Sequence, residues 1–291
     1  MTQDSGSPDA GTHESLPVVV GVNGSESSGG AARWAAHLAR AHQTSLHLVY
    51  SQAEPADLDR CAVATTILDT AAQAVVREFP DVAVDTEEVS EPADVALIRR
   101  SRHARLVVVG SEDVGRSAAL LLGSTTLTAA TRSDCPVVAW RNVATPTTAE
   151  VVVGVALGGA DDAALGAAFE YAHDFGAPVT AVHAWNPRLP ADSVEVPYLI
   201  DWDALQRSET EALCAALRPW SVRFPEVDVH CVVERAKPSQ LLLDHAADCQ
   251  LLVVATHRSN ALAATLLGST ALNLLHHSPV PVLICPAAKR F

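Results

Sequence analysis

Val18-Val19-Val20-Gly21-Val22 returns later in the chain as Val151-Val152-Val153-Gly154-Val155, 133 residues on. Three more segments recur at an offset of 145. Phe79-Pro80-Asp81-Val82 matches Phe224-Pro225-Glu226-Val227, Leu121-Leu122-Gly123-Ser124-Thr125 matches Leu266-Leu267-Gly268-Ser269-Thr270, and Pro136-Val137 matches Pro281-Val282. A jump from 133 to 145 means that the second copy carries twelve extra residues, placed around Asn186 to Asp203. The 291 residues therefore divide into two homologous domains, 16–143 and 149–288, behind a polar tail of residues 1–15 expected to be disordered.

Each copy alternates between two periods. Val18–Val22 is a continuous β-branched run, as suits a strand buried on both faces. Ala31, Trp34, Ala35 and Leu38 follow at the i, i+3, i+4, i+7 spacing of an amphipathic helix. Further strands are expected at Leu46–Tyr50, near Val82–Val89, at Leu106–Gly110 and at Val137–Trp140, with helices between them. Five strands joined by helical crossovers predict, in each domain, a Rossmann-like doubly wound α/β fold. Its five-stranded parallel sheet carries helices on both faces.

Composition narrows the function. Acidic residues outnumber Lys and Arg by 34 to 20, a net charge of −14 that would repel phosphate backbones and anionic lipid, so neither nucleic acid nor membrane is expected as a partner. No apolar run reaches the roughly 20 residues of a membrane span, and the N-terminus lacks the pattern of a signal peptide. A cytoplasmic protein is expected. The six cysteines include no Cys-x-x-Cys pair, and they read as reduced, buried thiols. The twelve histidines include neither His-x3-His nor His-Glu-x-x-His, so no metal site is expected. No nucleophile–base constellation stands out, and no enzymatic activity is expected, slow ATP hydrolysis being left open.

Open α/β sheets bind ligands beyond the carboxyl ends of the strands where strand order reverses, which singles out the loops after the first and fourth strands. They read Asn23-Gly24-Ser25 and Gly110-Ser111-Glu112-Asp113, the latter followed by Gly123-Ser124-Thr125-Thr126. Val107-Val108-Val109-Gly110, the Leu-Leu-Leu-Gly-Ser run ending at Ser124, and Cys135-Pro136-Val137-Val138, set behind Val-Gly-Val-Asn-Gly-Ser, closely resemble the universal stress protein family. Both copies carry the resemblance, as in tandem members. It implies a strand order of 3-2-1-4-5 in each domain and a role in stress responses.

The resemblance also implies a ligand. Many members bind ATP through Gly-x2-Gly-x9-Gly-(Ser/Thr), with an Asp in the first loop reaching the adenosine. Gly110, Gly123 and Ser124 match that pattern and Thr126 keeps the next hydroxyl, but Asp113 stands for the second glycine, Glu112 for a common Arg and Asn23 for the Asp. In the second copy Gly268 and Ser269 match, whereas Ala255 and Arg258 replace glycines, Ala156 replaces the Asp and Ala271 lacks the hydroxyl of Thr126. His257 and Arg258 leave room there for a small anion. The same Gly-Ser pairs equally suit a plain helix start with a capping hydroxyl. Two readings follow: a stress-response protein that binds ATP weakly, with Mg²⁺ only if ATP is bound, or a nucleotide-independent interaction module with an unknown protein partner.

The fifth strands, Val137–Trp140 and Val282–Cys285, fall at sheet edges with no charge beside them before Arg141 and Lys289. The two domains are expected to pair there antiparallel about a pseudo-two-fold axis, as single-domain members dimerise, with Trp140 partly shielded beside the joint. Whether whole chains form a homodimer stays open.

Like charges 4–6 Å apart cost on the order of 1–3 kcal/mol even when screened. The double substitution Glu112→Arg with Asp113→Gly is therefore expected to tighten ATP binding about tenfold in calorimetry. Tight binding by the unaltered chain would contradict this.

Overall fold

The computed structural model describes residues 16–52, 58–111, 124–141, 145–157, 161–186, 201–256 and 267–286. The expected disordered tail, Glu112, Asp113, Gly123, His257 and Arg258 lie outside these residues, as does most of the twelve-residue insertion.

The first half contains β1 (Val18–Val22), α1 (Glu26–Ala41), β2 (Leu46–Ser51), α2 (Leu58–Glu78), β3 (Val84–Val89), α3 (Ala93–Arg100), β4 (Leu106–Gly110), α4 (Ser124–Arg132) and β5 (Val137–Trp140). A single 3-10 turn, Ser101–His103, follows α3. The second half repeats the pattern with β6 (Val151–Gly154), α5 (Asp162–Phe175), β7 (Val179–Ala184), α6 (Trp202–Arg223), β8 (Val229–Glu234), α7 (Pro238–His245), β9 (Leu251–Ala255), α8 (Ser269–His277) and β10 (Val282–Cys285).

Two separate five-stranded sheets are not what forms. The strands build one ten-stranded sheet, ordered β3-β2-β1-β4-β5-β10-β9-β6-β7-β8. Each half keeps the 3-2-1-4-5 order with parallel pairing, and the halves meet where β5 and β10 pair antiparallel. The register is Val282 to Ala139, Leu283 to Val138 and Ile284 to Val137. Under the 145-residue offset the outer two pairs exchange and the middle pair maps onto itself. The two-fold relation therefore passes through Val138 and Leu283. The physical reason for fusion is that each fifth strand would otherwise leave a row of unpaired backbone groups between buried apolar side chains.

Side chains alternate across β5 and β10, so the joint feeds two apolar layers that both run through both halves. One contains Val138, Trp140, Leu283 and Cys285 with residues of α1, α2, α5 and α6. The other contains Val137, Ala139, Val282 and Ile284 with residues of α3, α4, α7 and α8. Trp140, at the end of β5 beside the joint, is buried more fully than the partial shielding expected. It is 7% exposed, and its ring lies over Gly30 of α1, where an added Cβ would come within 2.3 Å of the indole. Trp140 thus sits within the apolar layer that runs through the joint, its ring over α1.

On the first layer's side, α1 and α5 meet across the joint. The Trp34 and Tyr171 rings stack at 6.1 Å, and Arg105 donates to Glu170 at 2.9 Å. On the other side the buried Arg141 donates to the Ser278 carbonyl at 3.1 Å. The connection between the halves is held by Gln250, whose amide accepts from the Thr147 N–H (2.8 Å) and donates to the Thr147 carbonyl (2.7 Å) and to that of Ala149. No described helix is long and apolar enough to cross a membrane.

His42 and Asp174 also face each other across this joint, with Nε2 3.5 Å from Oδ2. That separation is too long to offset the loss of water. Burial, reinforced by Arg105, pushes the His42 imidazole down to about 4, and burial raises the Asp174 carboxyl. His42 is thus neutral at pH 7. Because the unfolded chain binds a proton near pH 6.5 and the folded chain does not until about pH 4, this group's contribution is complete above 6.5 and is lost as pH falls through that window. Comparing urea unfolding across this range for the wild type and His42→Gln should show a shallower pH slope in the variant. Equal slopes would mean that His42 titrates alike in both states.

Candidate functional site

The carboxyl ends of β1 and β4 lie side by side, and their loops interlock. Gly24 adopts φ +84°, a left-handed turn that glycine enters without strain. Asn23 Oδ1 accepts from the Ser25 N–H at 3.0 Å, and Ser25 Oγ caps α1 by accepting from the Ser28 N–H at 3.1 Å. Ser28 Oγ in turn receives the Asn23 N–H at 3.3 Å. Across the crevice Ser27 Oγ donates to the Ser111 carbonyl at 3.1 Å. Gly110 is glycine because α1 starts against it: a Cβ would stand 2.8 Å from the Ser27 carbonyl oxygen.

These loops roof a cavity of about 380 Å³. Gly21, Val22, Asn23 and Ser28 line one side and Val109, Gly110 and Ser111 another. Val49, Ser51, Ala93 and Leu97 form its wall, and Thr125 and Thr126 of α4 close it. Ser51 is anchored by donating to the Glu91 carbonyl at 2.6 Å.

A second cavity of about 170 Å³ occupies the same place in the other half. Its described lining maps residue by residue onto the first through the two repeat offsets. Val155, Val182, Leu242, Val254 and Thr270 stand for Val22, Val49, Leu97, Val109 and Thr125. The differences explain the loss of volume and polarity. Ala184 replaces Ser51, Pro238 replaces Ala93, Ala255 replaces Gly110 and Ala156 replaces Asn23. Leu157 stands where Gly24 does and is held at φ +57°, a conformation that costs a branched side chain roughly 1–2 kcal/mol.

A profile of the universal stress protein family matches residues 16–141 and again 148–286. The chain belongs to the universal stress protein family. A universal stress protein of Mycobacterium tuberculosis is 32% identical over 288 residues, covering 92% of this chain and 96% of its own. One from Mycolicibacterium smegmatis is 29% identical over 286 residues, with the same coverage. Among solved structures, a universal stress protein from Archaeoglobus fulgidus DSM 4304 superposes with a TM-score of 0.70 over 94% of this chain and 98% of its own, at 18% identity. That structural likeness speaks for the fold.

Within this universal stress protein, the structure brings Asn23, Gly110 and Thr126 to the first cavity. Gly24 and Ser25 shape its loop instead of lining it. Ser124 is exposed at the first turn of α4, and Thr126 is only 3% exposed beneath it. In the second half Gly268 and Ser269 are both exposed, outside the described cavity lining. Ser269 is the first residue of α8 and Gly268 its cap, and the cap position makes no side-chain hydrogen bond. The capping hydroxyl expected there is thus one residue out of place.

Three lining residues escaped sequence reasoning: Ser28, Ser51 and Asp161. Asp161, 6% exposed, stands 133 residues after Ser28 and does the same work. Its Oδ1 accepts the Ala156 N–H at 3.1 Å as Ser28 Oγ accepts that of Asn23. The signal was available, since extending the first offset through the helix start pairs the two positions. The second site therefore has a carboxylate at the start of α5 where the first has a neutral hydroxyl. Among the described residues no cluster of His, Cys, Asp and Glu could hold a metal ion.

Removing the Asp161 carboxylate strands the part-buried Ala156 N–H. Asp161→Ala is expected to lower stability by about 1–2 kcal/mol in urea unfolding, with Asp161→Ser recovering most of that loss because its hydroxyl still accepts. An equal loss in both variants would show that the charge, not the hydrogen bond, matters.

Proposed function

We propose that the first half of this universal stress protein binds an adenine nucleotide weakly and that the second half does not. The carrying observation is the retained cavity at the β1–β4 crevice, about 380 Å³ and supplied with the hydroxyls of Ser28, Ser51 and Thr126, against its shrunken counterpart. A cavity of that size lies within the range of small-molecule sites. Gly110 lets α1 start flush with the strand end, and Thr125 and Thr126 offer the first turn of α4 to an anion. Gly123 and Ser124 would continue that cradle, with Mg²⁺ needed only alongside a bound triphosphate.

Weakness has two sources. Asn23 spends its carbonyl oxygen on the Ser25 N–H, leaving chiefly amide donors where the family's Asp would accept from the adenosine. Glu112 and Asp113 add negative charge to the loop that follows β4. These same features favour a second reading, in which the fold serves as a nucleotide-independent interaction module acting through an unknown protein partner. On either reading the protein acts by binding, as a regulator in a stress response.

We also infer that domains 16–143 and 149–288 together reproduce within one chain the dimer of single-domain relatives, supported by the symmetric β5–β10 register. Pairing of whole chains would use other surfaces. A cytoplasmic setting accords with the acidic surface and the reduced thiols.

Calorimetry with ATP and AMP tests the nucleotide reading. The wild type should bind weakly at one site per chain. Ser51→Ala with Thr126→Ala, which copies the second half's residues, should weaken binding about tenfold by removing two hydrogen bonds. No heat with either nucleotide, together with no adenine released from the purified protein, would favour the interaction module.

A further inference from the structure

We propose that Cys214 and Cys231 close into an intramolecular disulfide when the chain meets an oxidant of the peroxide class. Helix α6 covers β8, the outermost strand of the second half. Alternation along β8 turns Val229, Cys231 and Val233 to one face, and both valines pack against the layer that holds Leu213 and Leu217 of α6. Gln206 of α6 donates to the Val233 carbonyl at 2.5 Å, fixing helix on strand. Cys214, next to Leu213, thereby neighbours Cys231, whose thiol is pushed up by burial and by the nearby Cys214. Both residues are exposed.

The other described cysteines differ in setting. Cys135, Cys249 and Cys285 are buried, and burial pushes each of their thiols up to about 12, which keeps them protonated and unreactive. Cys61 sits apart on α2 in the first half. Among the described cysteines, only the 214–231 pair combines exposure with a neighbouring thiol.

The chemistry balances without a cofactor. One thiolate attacks a peroxide oxygen: an S–O bond forms, the O–O bond breaks, and hydroxide leaves as water after taking up the thiol's proton. The second thiolate then attacks the sulfenic sulfur. The S–S bond forms, the S–O bond breaks, and the hydroxide leaves as a second water with the second proton. Two thiols and one hydrogen peroxide give one disulfide and two waters.

The sequence supplies a clean readout. Trypsin cuts after Arg207, Arg223 and Arg235 but not between Arg218 and Pro219, so Cys214 and Cys231 fall on the adjacent peptides 208–223 and 224–235. The full-length protein is treated with hydrogen peroxide, alkylated and digested without reductant. The two peptides are expected as one species lighter by two hydrogens than their sum and separated again by reductant. The denatured chain should lose two of its six titratable thiols. Cys61→Ser should keep the linked species, whereas Cys214→Ser and Cys231→Ser should each abolish it. Recovery of the two wild-type peptides unlinked, with their cysteines alkylated or oxidised beyond the sulfenic state, would overturn the proposal. So would a disulfide that joins two chains.

Discussion

Everything in this molecule hangs on two four-residue strands lying antiparallel. β5 and β10 are short and apolar on both faces, and each is the last strand of its half. Left apart, each would expose a template for pairing with any other strand. Joined, they make the ten strands one sheet and let both apolar layers run through the joint without a polar break. The polar contacts at the joint, Arg105 to Glu170 and Arg141 to Ser278, fix the angle of approach more than they drive it.

The scaffold is symmetric and the two crevices are not. The apolar lining has been kept in register, Val22 with Val155 and Leu97 with Leu242, because those residues also close the core. The polar and small lining residues differ instead: Ser51 against Ala184, Ala93 against Pro238, Gly110 against Ala255. Leu157 shows how far the two loops differ, since the second makes its left-handed turn at a leucine where the first has Gly24. Its side chain packs against the first layer, which compensates part of the strain.

Much of this was legible in the residues. The VVVGV repeat and the 3.6-residue period after it located the strands and the crevice, because a buried parallel strand allows little but β-branched apolar residues. Strand order followed from the family resemblance. What escaped was set by geometry that crosses elements. Ser51 reaches the cavity only because β2 neighbours β1, and Asp161 only because a helix start folds back on its own loop. Trp140 was expected partly shielded beside the joint, and the gap above Gly30 takes its ring further inward than that. The antiparallel meeting of the fifth strands was legible as two unguarded edges; that it merges all ten strands into one sheet is the part that the separate five-stranded sheets of the expectation missed.

Gln250 ties down the connection between the halves, and covalent linkage has an arithmetic of its own. In a pair of identical subunits every substitution is made twice, so a change that ruins one crevice ruins both. In a single chain the partner is always present at high effective concentration, whatever the crevices contain. Each half can then be altered separately while the other still completes its sheet. One half can thus carry Leu157, Ala255 and Asp161 where the other has Gly24, Gly110 and Ser28, without loss of the shared sheet.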